Sequence, residues 1–404
     1  MNLAVWSPRS ASSEALARLL TRFGAPGGRV VRVSEDAAPR GDSDLDLYDI
    51  ADHPAHAFAF RAARERPGVV LLRQGTFPRL LAGELARPGS RKDVLREMER
   101  AHGEEGAYVA RLVARGLGGD ALPAFFPLID PLLEASLGVV ALTGETGRRA
   151  ARRLGEDRTL RLPLHLLASG PSAREEARKH LSIPDSALVL AAPDPDSSRL
   201  SSLIRVASRL RDEFPDLRLL VGALQADVPD ATLVPDLAEM AAAADVIVAL
   251  DPLTPYGIPA GLSEALASRR PLVVNAGSGA LTDFPEGSLA RVPPGRSEEE
   301  ELEAVLRHLF RRPDLREALG RLAHEEARKV ADPEELGRSL AGFLDRLLSR
   351  KETILGALRD DRQREAALLR LLSEEVEEAG RSLGLRDLDL GLPPLFEKLV
   401  RVTS

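Results

Sequence analysis

The segment Tyr256-Gly257-Ile258-Pro259-Ala260-Gly261-Leu262-Ser263-Glu264 places two glycines, a helix start and a carboxylate shortly before the apolar run Leu272-Val273-Val274. With no Cβ, Gly257 and Gly261 let the backbone come close to a ligand, and the unpaired N–H groups of a helix's first turn favour an anion. Such a loop can cradle a phosphate. Glu264, one turn into the helix, is an acceptor for sugar hydroxyls; its other reading is an acidic residue favoured in a first turn by the helix dipole. The remaining candidates are weaker. In Asp194-Pro195-Asp196-Ser197-Ser198-Arg199 two carboxylates could hold a divalent cation, but turn chemistry explains the Asp-Pro pairs more simply. Arg199 is the one cation nearby, read either as an anion contact or as a solvated loop residue. His53 and His56 bracket a helix start and either line a cleft or cap the helix. His102-Gly103-Glu104-Glu105 lacks the second His of a zinc-hydrolase pattern, and Gly277-Ser278-Gly279 lacks the third glycine of a dinucleotide fingerprint. No metal site follows, and spacing alone yields no Ser, His, Asp arrangement.

The elements that must position these residues alternate. Short apolar runs at Leu3 to Trp6, Arg29 to Val33, Val69 to Leu72 and Gly138 to Leu142 are separated by amphipathic stretches, with an acidic segment from Asp42 to Asp49. After the turn chemistry of Ser169-Gly170-Pro171-Ser172 a second series begins: Leu188 to Ala191, Leu217 to Val221, Ala231 to Val234, Val246 to Leu250 and Leu272 to Val274. This alternation marks doubly wound parallel α/β sheets, whose ligands sit outside the carboxyl ends of the strands. Residues 296 to 383 read as helical. Within them, Arg350 to Arg381 carries Ile354, Leu358, Leu368, Leu369, Leu372 and Val376 among charges, an amphipathic pattern that either packs on its own domain or joins two copies.

At 404 residues, with 44% hydrophobic and 4% aromatic side chains, the chain supports two domains with cores built from Leu, Val and Ala. A net charge of -7 excludes the clustered basic footprint of a nucleic-acid binder. The absence of Cys excludes disulfides, thiolate metal sites and Cys nucleophiles and fits a reducing compartment. The opening run is too short for a signal-peptide core and no apolar stretch reaches membrane-spanning length. The expectation is a cytoplasmic protein without a transmembrane segment, peripheral membrane contact remaining open. With five lysines in the chain, arginine must supply nearly every cation.

Residues 256 to 265 resemble the E-x7-E loop of retaining glycosyltransferases of family 4, in which two glutamates flank a Gly- and Pro-containing turn. Gly257 matches the first Gly, Leu262 a Leu, and Glu264 the second Glu, which in the family holds the ribose of the nucleotide; Tyr256 stands where the family has the Glu that touches the donor sugar. Asn275 to Gly287 is similar to the following family loop, Gly279 and Asp283 falling on the places that approach phosphate and sugar. In the first half, Asp52-His53-Pro54-Ala55-His56 followed by Pro67-Gly68-Val69-Val70-Leu71-Leu72 resembles a subgroup with Asn-Asn-Pro-x-His and Pro-Gly-Val-Val-Val-Leu-His-Asp. The likeness covers roughly residues 1 to 345.

The resemblance implies the GT-B architecture: a Rossmann-like acceptor-side domain over residues 1–168, a Rossmann-like nucleotide-sugar domain over 169–349, and a helical tail over 350–404. It implies a nucleotide-diphosphate sugar as co-substrate, no separate cofactor and no metal, a glycan or small-molecule acceptor, and transfer with retention. Arg199 and Glu264 then carry the catalytic roles. Tyr256, Gly257, Ile258, Gly261, Leu262, Glu264, Gly279 and Asp283 line the donor site, and His53, His56 and Arg73 the acceptor side. The departures fall on chemistry. The loop after the first strand, Ser7-Pro8-Arg9-Ser10-Ala11-Ser12-Ser13, has no Gly; Arg73-Gln74 replaces His-Asp; the loop at Asp194 to Asp196 has two carboxylates in place of Gly. Arg199, Arg9 and Arg73 are the cations left to neutralise a leaving diphosphate. An inactive homologue that serves as a binding or scaffolding protein, with the tail as a candidate homodimer contact, is the alternative.

Overall fold

The computed structural model describes residues 1–8, 11–23, 29–35, 43–87, 89–117, 126, 129–163, 173–193, 197–222, 231–250, 261–276 and 284–360. Among them two six-stranded sheets form, and all observed pairings are parallel.

The first sheet contains β1 (Asn2–Trp6), β2 (Arg29–Val33), β3 (Leu45–Ile50), β4 (Val69–Leu72), β5 (Gly138–Ala141) and β6 (Thr159–Arg161), in the order β2-β1-β3-β4-β5-β6. Helices α1 (Ala11–Phe23), α2 (Ala57–Glu65), α3 (Pro78–Ala86), α4 (Arg91–Val113), α5 (Asp130–Ala135) and α6 (Gly144–Leu154) connect or flank these strands. Strands β3, β4 and β5 are buried along their whole length, as strands covered on both faces must be. The hydrophobic pattern makes β4 and β5 obvious. It hides β3, whose Leu-Asp-Leu-Tyr-Asp-Ile falls in the stretch expected to be an acidic segment. That expectation is corrected here: both aspartates are buried because partners meet them. Asp46 accepts a hydrogen bond from Trp6 Nε1 at 3.1 Å and from Ser43 Oγ at 3.0 Å, and Asp49 is held by an arginine described below. Helix α4 breaks at Gly103, which has a φ of 67°.

The second sheet contains β7 (Val189–Ala192), β8 (Arg218–Val221), β9 (Ala231–Leu233), β10 (Val246–Ala249), β11 (Leu272–Asn275) and β12 (Ala290–Val292), in the order β12-β11-β10-β7-β8-β9. Its helices are α7 (Arg174–His180), α8 (Ser197–Arg211), α9 (Leu237–Ala243), α10 (Leu262–Ala267), α11 (Glu298–Arg311) and α12 (Pro313–Val330). Each sheet has its own core. One gathers Tyr48, Phe60, Leu72, Met98 and Val139; the other gathers Leu190, Val206, Leu219, Val248 and Phe310.

Helix α13 (Pro333–Ser349) begins as Asp332-Pro333 predicts. The Asp332 carboxylate accepts the N–H groups of Glu334 at 2.7 Å and Glu335 at 3.2 Å, and a proline is suited to the first helical position. The helix returns to the first half of the chain. A Cβ on Gly337 would lie 2.1 Å from the Phe23 ring, so only glycine admits that contact, and Arg22 pairs with Glu334 at 3.0 Å. Residues from Arg346 onward form a second compact unit, helical over 351–360. The boundary expected near residue 168 and the tail from 361 onward lie outside the described residues. Among the described residues, no helix is long and apolar enough to cross a membrane.

Candidate functional site

In each sheet the strand order reverses beside the first strand. β1 lies between β2 and β3, and β7 between β8 and β10. In open α/β sheets, a crevice opens at the carboxyl ends of the strands at such a switch point.

In the second sheet the crevice is organised by Pro193, the residue after β7. A Cβ on Gly222, just past β8, would fall 2.0 Å from the Pro193 carbonyl oxygen, and one on Gly261 would fall 2.5 Å from Pro193 Cγ. Three loops therefore meet at one proline, and two glycines make the approach feasible. Gly261 also has a φ of 73° where it caps α10, a left-handed conformation that glycine adopts without strain. Leu262 is buried at 2% exposure and anchors the helix. Glu264 follows in the first turn, half-buried, its carboxylate accepting a hydrogen bond from Ser263 Oγ at 2.9 Å. The helix itself spans only Leu262–Ala267, so the carboxylate rather than the helix dipole is the chemical feature. Tyr256, Gly257, Ile258, Gly279 and Asp283 lie outside the described residues. Arg199 falls in the first turn of α8, with its side chain outside them.

The crevice of the first sheet is polar. Asp49, near the end of β3, is 0% exposed. It accepts hydrogen bonds from Arg73 Nε at 2.7 Å, Arg73 Nη2 at 2.9 Å and Ser7 Oγ at 2.8 Å. This two-pronged guanidinium–carboxylate geometry is the strong form of the ion pair. Burial pushes the Asp49 carboxyl up, but the charge and hydrogen bonds of Arg73, aided by His56 and Ser7, outweigh it and hold it below its ordinary value. Burial likewise opposes the Arg73 cation, and Asp49 overcomes that too, so Arg73 stays above its ordinary value. His56, 7% exposed, donates Nδ1–H to the Asp49 carbonyl at 2.7 Å, since a carbonyl can only accept. That bond fixes the tautomer and leaves Nε2 as an acceptor. Burial lowers the His56 pKa; Asp49 opposes this, Arg73 and His53 reinforce it, and the net direction is down. At neutral pH the group is carboxylate, guanidinium and neutral imidazole.

Of the three residues expected on the acceptor side, the structure joins two, Arg73 and His56, through Asp49. His53 is exposed and caps the turn at Pro54–His56, its Nδ1 accepting from Ala55 N at 3.1 Å. Sequence reasoning missed Asp49 and Ser7. The available signal was the density of apolar residues around the aspartates, Leu45, Leu47, Tyr48 and Ile50, which fits a strand buried on both faces. Among the described residues, no group of three or more His, Asp or Glu could hold a metal.

Known structures share this architecture. Sucrose-phosphate synthase from Thermosynechococcus elongatus matches 86% of this chain and 99% of its own, with 13% identity and a TM-score of 0.52. HepE from Anabaena, solved with UDP and glucose, matches 85% of this chain and 99% of its own, also at 13% identity and a TM-score of 0.52. HepE with UDP-glucose gives 12% identity over the same shares, with the same TM-score. No family model matches the sequence, and no curated protein does. The fold is therefore GT-B, an α/β arrangement of two parallel six-stranded sheets with surrounding helices.

Proposed function

We propose that the protein is a glycosyltransferase that takes a sugar from a nucleotide-diphosphate donor bound at the second sheet and passes it to a glycan or small-molecule acceptor bound at the first. The observation that carries this reading is the half-buried Glu264 carboxylate in the first turn of α10, directly after the Gly261 that packs on Pro193 beside the switch point of the second sheet. A ribose offers two adjacent hydroxyls, and a carboxylate accepts both. HepE, of the same fold, binds UDP-glucose, which supports a nucleotide sugar as co-substrate here.

In this reading Glu264 orients the nucleotide and Arg199 neutralises the leaving diphosphate, where charge develops in the transition state. His56 presents an unprotonated Nε2 that accepts a hydrogen bond from an acceptor hydroxyl. Burial, reinforced by the Arg73 charge, keeps the His56 imidazole neutral, and Arg73 is itself committed to Asp49. Family 4 membership, retention of configuration and independence of metal are further parts of the proposal, as are a cytoplasmic location and a homodimer formed through the tail.

The commitment of Arg73 also favours a second reading. Two of its three guanidinium nitrogens bind Asp49, so it is a poor cation for a diphosphate, and Tyr256 stands where the resemblance expects a donor-sugar glutamate. A homologue that binds nucleotide sugar without turnover and acts as a scaffold fits those two facts. Thermal unfolding with UDP, GDP and ADP, followed by hydrolysis and transfer assays with the matching sugar nucleotides, tests both. Nucleotide stabilisation with turnover, both abolished in Glu264→Ala, supports the transferase. Stabilisation without turnover selects the scaffold. No response to any nucleotide removes the transferase.

A further inference from the structure

At the opposite ends of β10 and β11 from Glu264, four arginines gather around one buried carboxylate. Asp245, just before β10, is 7% exposed. Its Oδ1 accepts from Arg174 Nη2 at 2.7 Å, and its Oδ2 accepts from Arg178 Nη2 at 2.8 Å and from the Val189 N–H at 2.8 Å. Both oxygens are therefore occupied. Arg178, 1% exposed, spends its other nitrogens on the carbonyls of Ala243, Pro184, Asp185 and Ala187, each at 3.1 Å. This arginine is structural.

Arg270 and Arg316 complete the group and, among the described residues, have no carboxylate of their own in it. Among the described residues, Arg270, just before β11, makes one long bond from Nη2 to the Ala242 carbonyl at 3.3 Å, and its Nε is buried with no partner. Arg316 on α12 bonds the carbonyls of Leu309 and Phe310 through Nη1, at 2.7 and 2.9 Å. Gly320, one turn further along α12, holds that helix against the same corner: a Cβ there would lie 1.9 Å from the Arg269 carbonyl oxygen. A buried donor left unbonded carries its full desolvation cost, and clustered cations repel in a region of reduced dielectric. The Arg270 pKa reflects both: burial first, then Arg174, Arg178 and Arg316, pull it down to about 10 against the opposing charge of Asp245.

We propose that Arg270 and Arg316 form a binding site for a phosphate-type oxyanion, beside Arg174, whose Nη1 and Nη2 are held by the Ala244 carbonyl and by Asp245. Guanidinium groups match the spacing and charge of such oxygens. An oxyanion seated against Arg270 supplies the acceptor that Nε lacks and offsets the surplus of positive charge. Arg174 is one-third exposed, which leaves a path for the ion. The site lies at the amino ends of the strands, away from the crevice assigned to the donor, so its occupancy tunes the stability of the second domain rather than turnover.

The test uses the full-length protein in a buffer free of polyvalent anions. Inorganic phosphate and glycerol 3-phosphate are titrated against sodium chloride at matched ionic strength, with thermal unfolding and calorimetry as readouts. The expected result is a rise in Tm of about 2–4 °C at saturation beyond the chloride baseline. That rise should persist in Glu264→Ala and disappear in Arg270→Gln and Arg316→Gln. Where Arg270→Gln fails to fold, Arg316→Gln carries the test alone. A response to either ligand supports the site and tells a free ion from an esterified phosphate. No rise above chloride overturns the proposal and leaves the arginines as helix-terminal carbonyl caps. A rise that survives both arginine substitutions, or that vanishes in Glu264→Ala, places the anion elsewhere and overturns it equally.

Discussion

The two crevices solve the same geometric problem with opposite materials. At the first sheet, the segments ending β1, β3 and β4 are tied by an ion pair between the fully buried Asp49 and the mostly buried Arg73, with Ser7 and His56 attached to it. At the second, loops after β7 and β8 and before α10 are tied by close backbone packing on Pro193. A charge network is directional and intolerant of losing a member; packing around glycines is intolerant of gaining an atom. The first crevice therefore offers fixed protonation states. The second offers shape, with the partly exposed Glu264 carboxylate among the described residues.

The largest effect should come from breaking the network at its centre. Asp49→Ala strands the Arg73 guanidinium in a mostly buried position, and removing one partner of such a pair costs about 3–5 kcal/mol. Urea unfolding should show this loss, and Asp49→Leu combined with Arg73→Met should recover most of it. If the single substitution is as stable as the native chain, the network is not what holds the first crevice.

Adding one methyl group tests the second crevice. Gly261→Ala imposes a left-handed φ on alanine and pushes Cβ into Pro193, for a cost of about 1–3 kcal/mol. Gly222→Ala, directed at the Pro193 carbonyl, should cost a similar amount. Pro193→Ala introduced beside Gly261→Ala removes the 2.5 Å Cγ contact but keeps Cβ at 2.9 Å, so it should return part of the packing cost and none of the backbone cost. Full recovery in that double variant would mean that strain at φ is negligible.

Acid should act on the first crevice before the second. His56 has a folded pKa below its unfolded value, so its contribution is complete above about pH 6.5 and is lost as pH falls toward the folded pKa. Asp49, whose folded pKa is also depressed, contributes above about pH 3.9 and loses that contribution only as pH falls through its lower folded value. Stability measured from pH 7.5 to 5 should decline, and His56→Gln should flatten that decline. A slope unchanged by the substitution would assign the titration to other groups.

The smallest effect on stability should come with the largest on binding. Glu264 is half-buried and its carboxylate bonds one neighbouring hydroxyl, so Glu264→Ala should change folding by no more than about 0.5 kcal/mol. Nucleotide-dependent stabilisation should nevertheless vanish. Loss of both together would make Glu264 a folding residue and weaken the functional reading.

The two crevices also differed in how far they could be read from the chain. Glu264, Gly261 and Leu262 stand within one local stretch, where a turn, a helix start and a following strand can be read in sequence order. The partners of the first crevice come from four places: Ser7, Asp49, His56 and Arg73. The resemblance named His56 and Arg73, but Ser7 and Asp49 carry no motif, because the sheet order puts β1 and β3 side by side with β2 outside them. The same ordering makes interior residues of Asp46 and Asp49, which the sequence shows as part of an acidic segment. Arg270 and Arg316, 46 positions apart, likewise meet only because α12 packs on the turn before β11.

The sequence by itself determined the alternation of strands and helices, the parallel doubly wound class and the two-domain plan, because hydrophobic periodicity and turn residues act over a few positions. The tertiary structure decided which charges are buried, which loops converge on Pro193 and which arginines share Asp245. Those outcomes depend on strand order and on the cost of leaving a charge or a donor unpaired away from water, a cost that arises only once distant segments have been brought together.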